Sequence, residues 1–170
     1  MFRTLIELPA ARLAIAEVDT ETRAAARAAC ERLIEELSQG QSGKDLSISK
    51  SHSGRWVAVG VSSQASIGVD IELVRPRAHL AEVADWLELD ATDEPTFYAH
   101  WTLRESLAKS RGGSVLDAHV CEGDLRMAAR HPGELIDADG YSALCGKLEG
   151  GIYYSLVLNH PPSHEAIRCA

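Results

Sequence analysis

Cationic charge is in short supply in this chain. Seventeen Lys and Arg stand against 25 Asp and Glu, for a formal net charge of −8. That balance argues against a nucleic-acid partner, because a phosphate backbone demands a basic surface. Any anionic ligand must be held by a few local cations rather than by the overall field. Long apolar runs are missing too, and nothing approaches the ~20 consecutive apolar residues of a membrane-spanning helix. The opening Met1-Phe2-Arg3-Thr4 holds no apolar signal core, so a cytoplasmic, membrane-free protein is expected. The four cysteines, Cys30, Cys121, Cys145 and Cys169, form no C-x-x-C pair, and no histidine stands at zinc-finger spacing. Reduced thiols are the expectation. Internal repeats and low-complexity tracts are also lacking.

What is present fits one domain's worth of soluble globular protein: 170 residues, 45% apolar and 25% charged. Thr4–Leu8 and Leu13–Val18 read as short strands. Asp19 or Thr20 can cap a helix over Thr22–Ser38, whose apolar stripe is Ala26, Cys30, Leu33 and Leu37. A strand-rich block runs from Leu46 to Leu73, with Trp56–Val61 and Ala65–Leu73 expected to pair as a hairpin. Helices follow over about His79–Glu88 and Pro95–Ser110, the second stopped by Gly112-Gly113. Leu125–Ala129, Ser142–Lys147 and Ile152–Leu158 read as strands, and the tail after Asn159 as loose. Helices mixed with antiparallel strands, rather than alternating with them, indicate an α+β fold.

Three elements carry chemistry. Alternation in Ser66–Leu73 puts Ile67, Val69 and Ile71 on a core face and Gly68, Asp70 and Glu72 on the other. The two carboxylates stand roughly 7 Å apart along the strand, and the glycine beside them would leave room for a ligand. Such a pair suits Mg²⁺, which takes hard oxygen ligands, although a solvent-facing strand edge also carries D-x-E. In Trp101-Thr-Leu-Arg-Glu-Ser-Leu-Ala-Lys109, Glu105 and Lys109 have the spacing of an exposed ion pair. Trp101 on the same broad face suggests that this side packs inward, where a carboxylate needs a metal or a lysine as partner. In Ser51-His52-Ser53-Gly54-Arg55-Trp56, a histidine among small hydroxyl residues can bond a phosphate, or the segment is simply a solvated turn.

Together and in this order, S-H-S-G-R-W (51–56), I-G-V-D-I-E (67–72) and W-T-L-R-E-S-L-A-K (101–109) resemble the 4′-phosphopantetheinyl transferases, particularly the larger type that activates surfactin synthetase. Clear matching runs from about Lys44 to Val115. The resemblance implies Mg²⁺-dependent transfer of the phosphopantetheine arm of coenzyme A to a serine of an apo acyl, polyketide or peptidyl carrier protein, with release of adenosine 3′,5′-bisphosphate. It implies that Asp70, Glu72 and Glu105 hold the metal, that Ser51, His52, Lys44 and Lys109 contact coenzyme A, and that Glu105, Glu72 and Lys109 are catalytic. Glu105 is favoured as the base and Lys109 as an aid to the leaving group. It also implies a monomer of two pseudo-symmetric α+β halves with the active site between them. Here those halves would be a shortened 1–68, carrying the Ser-His segment, and 69–170.

Several residues depart from the family pattern. Arg104 stands where lysine is usual, Lys50 occupies a slot that is usually apolar, and Gly112-Gly113-Ser114 replaces G-x-G. Arg23 and Arg27 on the first helix are candidate contacts for the 3′-phosphate. Arg75, Arg77 and Arg111 could form the cationic patch on which an acidic carrier docks. A non-catalytic module that binds coenzyme A or a carrier protein is the competing reading, motivated by Arg104, Ser114 and the trimmed start.

Overall fold

A computed structural model describes residues 3–39, 45–76, 78–87, 93–115 and 122–160. Two four-stranded antiparallel sheets lie face to face, each with helix on its outer side. The first contains β1 (Arg3–Leu8), β2 (Ala11–Glu17), β3 (Ser47–Ser53) and β4 (Trp56–Ser62) in the order β1-β2-β4-β3. The second contains β5 (Ser66–Leu73), β6 (Ile136–Ala138), β7 (Tyr141–Leu148) and β8 (Ile152–Asn159) in the order β5-β8-β7-β6. This is the expected α+β class.

Helix α1 (Arg23–Ser38) covers the first sheet. Its stripe of Ala26, Cys30, Leu33 and Leu37, joined by Ala29, is buried against Val57, Val59 and Val61 of β4. The cap is Thr22, not Asp19 or Thr20. Its side chain accepts from the Ala25 amide at 3.2 Å, the reach three residues ahead that an N-cap needs. Leu13 and Ile15 of β2, Ile67, Val69 and Ile71 of β5, and Leu156 and Leu158 of β8 fill the layer between the sheets. Outside the second sheet lie α2 (Leu80–Trp86), α3 (Glu94–Ser110) and α4 (Glu122–Arg130). They bury Tyr98, Leu103, Leu107 and Leu125 against Tyr141, Ala143, Tyr153 and Val157.

The expected β4–β5 hairpin and the strand over Leu125–Ala129 both fail for identifiable reasons. β4 and β5 are not a hairpin: β4 pairs with β2 and β3, while β5 pairs with β8. The turn at Ser63–Ala65 carries the chain from one layer to the other. Ser62 sets it up, its hydroxyl donating to the Ala10 carbonyl at 2.8 Å and accepting from the Ala65 amide at 3.1 Å. The two strands therefore stack through side chains, and Gly60 permits the contact: a Cβ there would lie 2.6 Å from Val69 Cγ1. Leu125–Ala129 is helix rather than strand. Leu125 and Ala128, three apart, are both buried, a helical spacing that five residues were too few to reveal. The tail beyond His160 lies outside the described residues.

Gly68 faces a helix rather than a ligand space. A Cβ there would fall 1.8 Å from the Ser106 carbonyl oxygen and 2.6 Å from the Ser110 nitrogen. Small hydroxyls complete the contact: Ser66 Oγ donates to the Ser110 carbonyl at 2.6 Å, and Ser106 Oγ meets Ser155 Oγ at 2.7 Å. The room beside Asp70 is thus taken by α3, which brings Lys109 onto the strand. Gly68→Ala is expected to lower folding stability by about 3 kcal/mol or more, since backbone must move to admit the methyl group. Gly113→Ala, whose Cβ would meet nothing nearer than 4.0 Å, should change it by less than about 0.5 kcal/mol. Paired urea melts check the contrast, and equal effects would refute the close-approach account.

Candidate active site

The site is built on a ladder of serines. β3 reads Ser47-Ile-Ser-Lys-Ser-His-Ser53, so its serines alternate onto one face. That face meets the outer edge of β5. Ser47, Ser49 and Ser53 accept hydrogen bonds from the amides of Ile67, Val69 and Leu73 at 3.0, 3.0 and 3.1 Å. Each rung joins residues twenty apart, and Ser51 should meet the Ile71 amide. It does not. Ser51 Oγ instead donates to Asp70 Oδ1 at 2.7 Å and accepts from Lys109 Nζ at 3.3 Å. The ladder breaks where the chemistry-bearing residues meet.

Lys109 Nζ sits among three oxygens, 2.7 Å from Asp70 Oδ1, 3.2 Å from the Val69 carbonyl and 3.3 Å from Ser51 Oγ. Lys109 reaches Asp70 because α3 lies directly on Gly68. Glu72, two residues along β5, receives a 2.8 Å hydrogen bond from Ser53 Oγ. Glu105 lies on α3 one turn before Lys109 and is half-buried. Arg104 is buried on the same helix, with its guanidinium 5.0 Å from the Trp86 ring centroid. Trp101, stacked on Phe97 at 6.3 Å, is partly buried against the core outside the second sheet, so this side of α3 does pack inward.

Asp70 and Glu72 therefore share a strand face, while Glu105 comes from the helix. Among the described residues, no three His, Cys, Asp or Glu side chains are gathered closely enough to hold one ion. The donor set nevertheless suits a hard divalent cation, which needs only one or two carboxylates plus water and phosphate oxygens. Asp70 Oδ2 is buried and has no hydrogen-bond partner among the described residues, a costly condition for a charged oxygen and one that a cation would relieve.

The cations gather on the other side of Ser51. A cavity of about 540 Å³ is lined by Arg23, Arg27, Cys30, Lys50, Ser51 and His52. Lys50 and His52 reach it because strand alternation turns them away from the serine face. A second cavity of about 400 Å³ shares Arg23 and His52 and adds Ser53, Arg75 and one carboxylate, Glu21. An acidic chain thus places four Lys or Arg residues and one histidine along two adjoining cavities, which suits a ligand with more than one phosphate. Cys30 and Cys145 are buried and unpaired. Lys44, Arg77, Cys121 and Cys169 lie outside the described residues. Sequence reasoning missed Ser53 as a carboxylate partner; its signal was the serine at every second position of β3.

The chain is similar to 4′-phosphopantetheinyl transferases. It is 31% identical over 100 residues to the 4′-phosphopantetheinyl transferase AcpT of Escherichia coli K12, covering 48% of this chain and 51% of that protein. To the 4′-phosphopantetheinyl transferase Sfp of Bacillus subtilis it is 34% identical over 77 residues, 40% of this chain and 34% of that protein. A putative 4′-phosphopantetheinyl transferase of Haemophilus influenzae is 35% identical over 78 residues. The chain spans about half the length, or less, of these curated relatives. AcpT and Sfp both match, so the likeness does not single out the surfactin type. No family model matches the chain.

Burial pushes the Asp70 carboxyl up to about 6, against the opposing pull of Lys109 and the Ser51 hydroxyl. The folded protein thus holds the Asp70 proton more tightly than the unfolded chain, where the ordinary value is 3.8. This contribution to stability is fully present below about pH 4 and is lost as pH rises through about 6, a cost near 3 kcal/mol at neutral pH. In the presence of chelator, Asp70→Asn should therefore raise the thermal midpoint at pH 7.5 and leave it nearly unchanged at pH 4. A midpoint lowered at pH 7.5 would mean that the Lys109 contact outweighs burial.

Proposed function

We propose that the chain transfers the 4′-phosphopantetheine group of coenzyme A to a serine hydroxyl of an apo carrier protein, with Mg²⁺ as cofactor and adenosine 3′,5′-bisphosphate as the second product. The observation that carries this reading is the position of Ser51. Its hydroxyl bonds Asp70, and the same residue lines the cationic cavity. Carboxylates for a metal and cations for phosphates are therefore neighbours, as transfer from a diphosphate requires. The similarity to 4′-phosphopantetheinyl transferases supports the reaction class.

On this reading Arg23, Arg27, Lys50 and His52 receive the 3′-phosphate end of coenzyme A, and the diphosphate lies over Ser51 toward Asp70. Asp70 and Glu72, joined by Glu105 from α3, would hold Mg²⁺, which supplies charge neutralisation and polarisation of the attacked phosphate. Lys109 neutralises the diphosphate and follows the charge onto the departing oxygen. Glu105 takes the proton of the carrier serine. The serine oxygen bonds to the phosphorus bearing the pantetheine, and that phosphorus releases its bond to the bridging oxygen. The leaving bisphosphate keeps the electron pair. Both sheets that frame the site belong to one chain, which supports action as a monomer.

Incubation with coenzyme A, Mg²⁺ and a panel of apo carrier proteins should add one phosphopantetheine mass to a carrier serine, and Asp70→Ala should abolish the addition. A carrier panel that stays unmodified throughout would defeat the enzyme reading. Arg23→Ala and Arg27→Ala should each raise KM for coenzyme A about tenfold, the loss of one charge-assisted hydrogen bond, with kcat within about twofold. A fall in kcat at unchanged KM would remove the cavity from coenzyme A binding.

A further inference from the structure

Among the ladder serines, only Ser51 and Ser53 touch a carboxylate of the candidate site, and Ser53 is one that the proposed chemistry does not use. It is buried, at 4% exposure. Its oxygen accepts from the Leu73 amide at 3.1 Å and lies 2.8 Å from Glu72 Oε2. A hydroxyl has a single proton. The Leu73 amide is itself a donor, so that proton cannot point toward it and is directed to Glu72. The Ser53 hydroxyl is thereby oriented by backbone, which in turn is fixed by the β5–β8 register.

Ser49 supplies an internal comparison. It too is buried, at 8% exposure, and accepts from a β5 amide, Val69, at 3.0 Å. No carboxylate of the site bonds to it. The two serines make the same rung of the same ladder and differ in whether a carboxylate receives the proton.

We infer that Ser53 is a positioning residue for Glu72: by holding Oε2 it sets where the Glu72 carboxylate stands on the strand face it shares with Asp70. Glutamate has three side-chain torsions, and a hydrogen bond from a backbone-oriented hydroxyl narrows them. Ser51 does the corresponding work for Asp70, with Lys109 on its far side playing the part of the amide. Two serines two residues apart on β3 thus hold two carboxylates two residues apart on β5. The inference rests on the reading of Asp70 and Glu72 as ligands of a divalent ion.

Mn²⁺ serves as the probe, titrated into the full chain with coenzyme A present and followed by loss of the free-ion electron paramagnetic resonance signal. Ser53→Ala and the near-isosteric Ser53→Cys should weaken Mn²⁺ binding about tenfold or more, the range of carboxylate-supporting partners. Ser49→Ala should weaken it less than about threefold, although it loses a similar rung and a similar amount of stability in urea. In a Glu72→Gln background, Ser53→Cys should have no further effect on Mn²⁺ affinity. Equal Mn²⁺ affinities for the Ser49 and Ser53 variants, or full additivity with Glu72→Gln, would overturn the positioning role while leaving the metal reading intact. Absence of Mn²⁺ binding by the unsubstituted protein would instead remove both.

Discussion

The contact between the edges of two sheets governs this molecule. β3 ends one sheet and β5 ends the other, and each would leave a row of backbone amides unpaired. The serines of β3 supply acceptors to the amides of Ile67, Val69 and Leu73. A side-chain oxygen reaches farther than a backbone carbonyl, so the two edges are joined through side chains instead of merging into one sheet. That geometry leaves side chains of both strands in the same crevice. Had the strands paired by backbone alone, Ser51 could not have turned to Asp70, and no gap in the ladder would exist for Lys109 to enter.

Opposed forces act on Asp70. Burial disfavours its charge, while Lys109 and Ser51 favour it, and the net result is a carboxyl lifted to about 6. A residue selected only for stability would be apolar here, flanked as it is by Val69 and Ile71. The close approach of α3 at Gly68 compounds the tension, because it excludes water from one side of the carboxylate. Destabilised charge of this kind is what functional sites accumulate. Oδ2, unsatisfied among the described residues, is the specific place where the tension is stored.

How much of this could be read from the sequence depends on the range of the forces involved. Alternation in β5 gave the two faces of the strand correctly, since pleating is local. The stripe of α1 was legible for the same reason. The partner of β4 was not, because stacking and pairing of two apolar strands give the same pattern, and only Gly60 distinguishes them. A glycine beside two carboxylates reads as space for a ligand, whereas the space at Gly68 belongs to α3. Alternation puts Lys50 and His52 on one face of β3, and both line the cationic cavity. The gathering of Arg23 and Arg27 with them required the packing of α1 on the first sheet. The role of Ser53 lay in a visible repeat of serines, but its meaning required knowing which strand those serines face.

The cations of the site fall into two kinds, and the difference bears on what each can do. Lys109 is 31% exposed, its side chain engaged by three oxygens including a buried carboxylate. Withdrawing it would strand Asp70, since a buried charge stripped of its partner is strongly destabilising. Arg27, in contrast, is paired with Glu31 at 2.9 Å on an exposed helix face, and such pairs are held weakly in water. A phosphate entering the cavity can take Arg27 from Glu31 at little cost. It cannot take Lys109 from Asp70 unless another cation comes to Asp70 in exchange. The peripheral cations are therefore suited to capture an anion, and the central one is suited to stay with Asp70. Burial thus separates cations that an entering anion can recruit from one already committed to Asp70, with Ser51 between them.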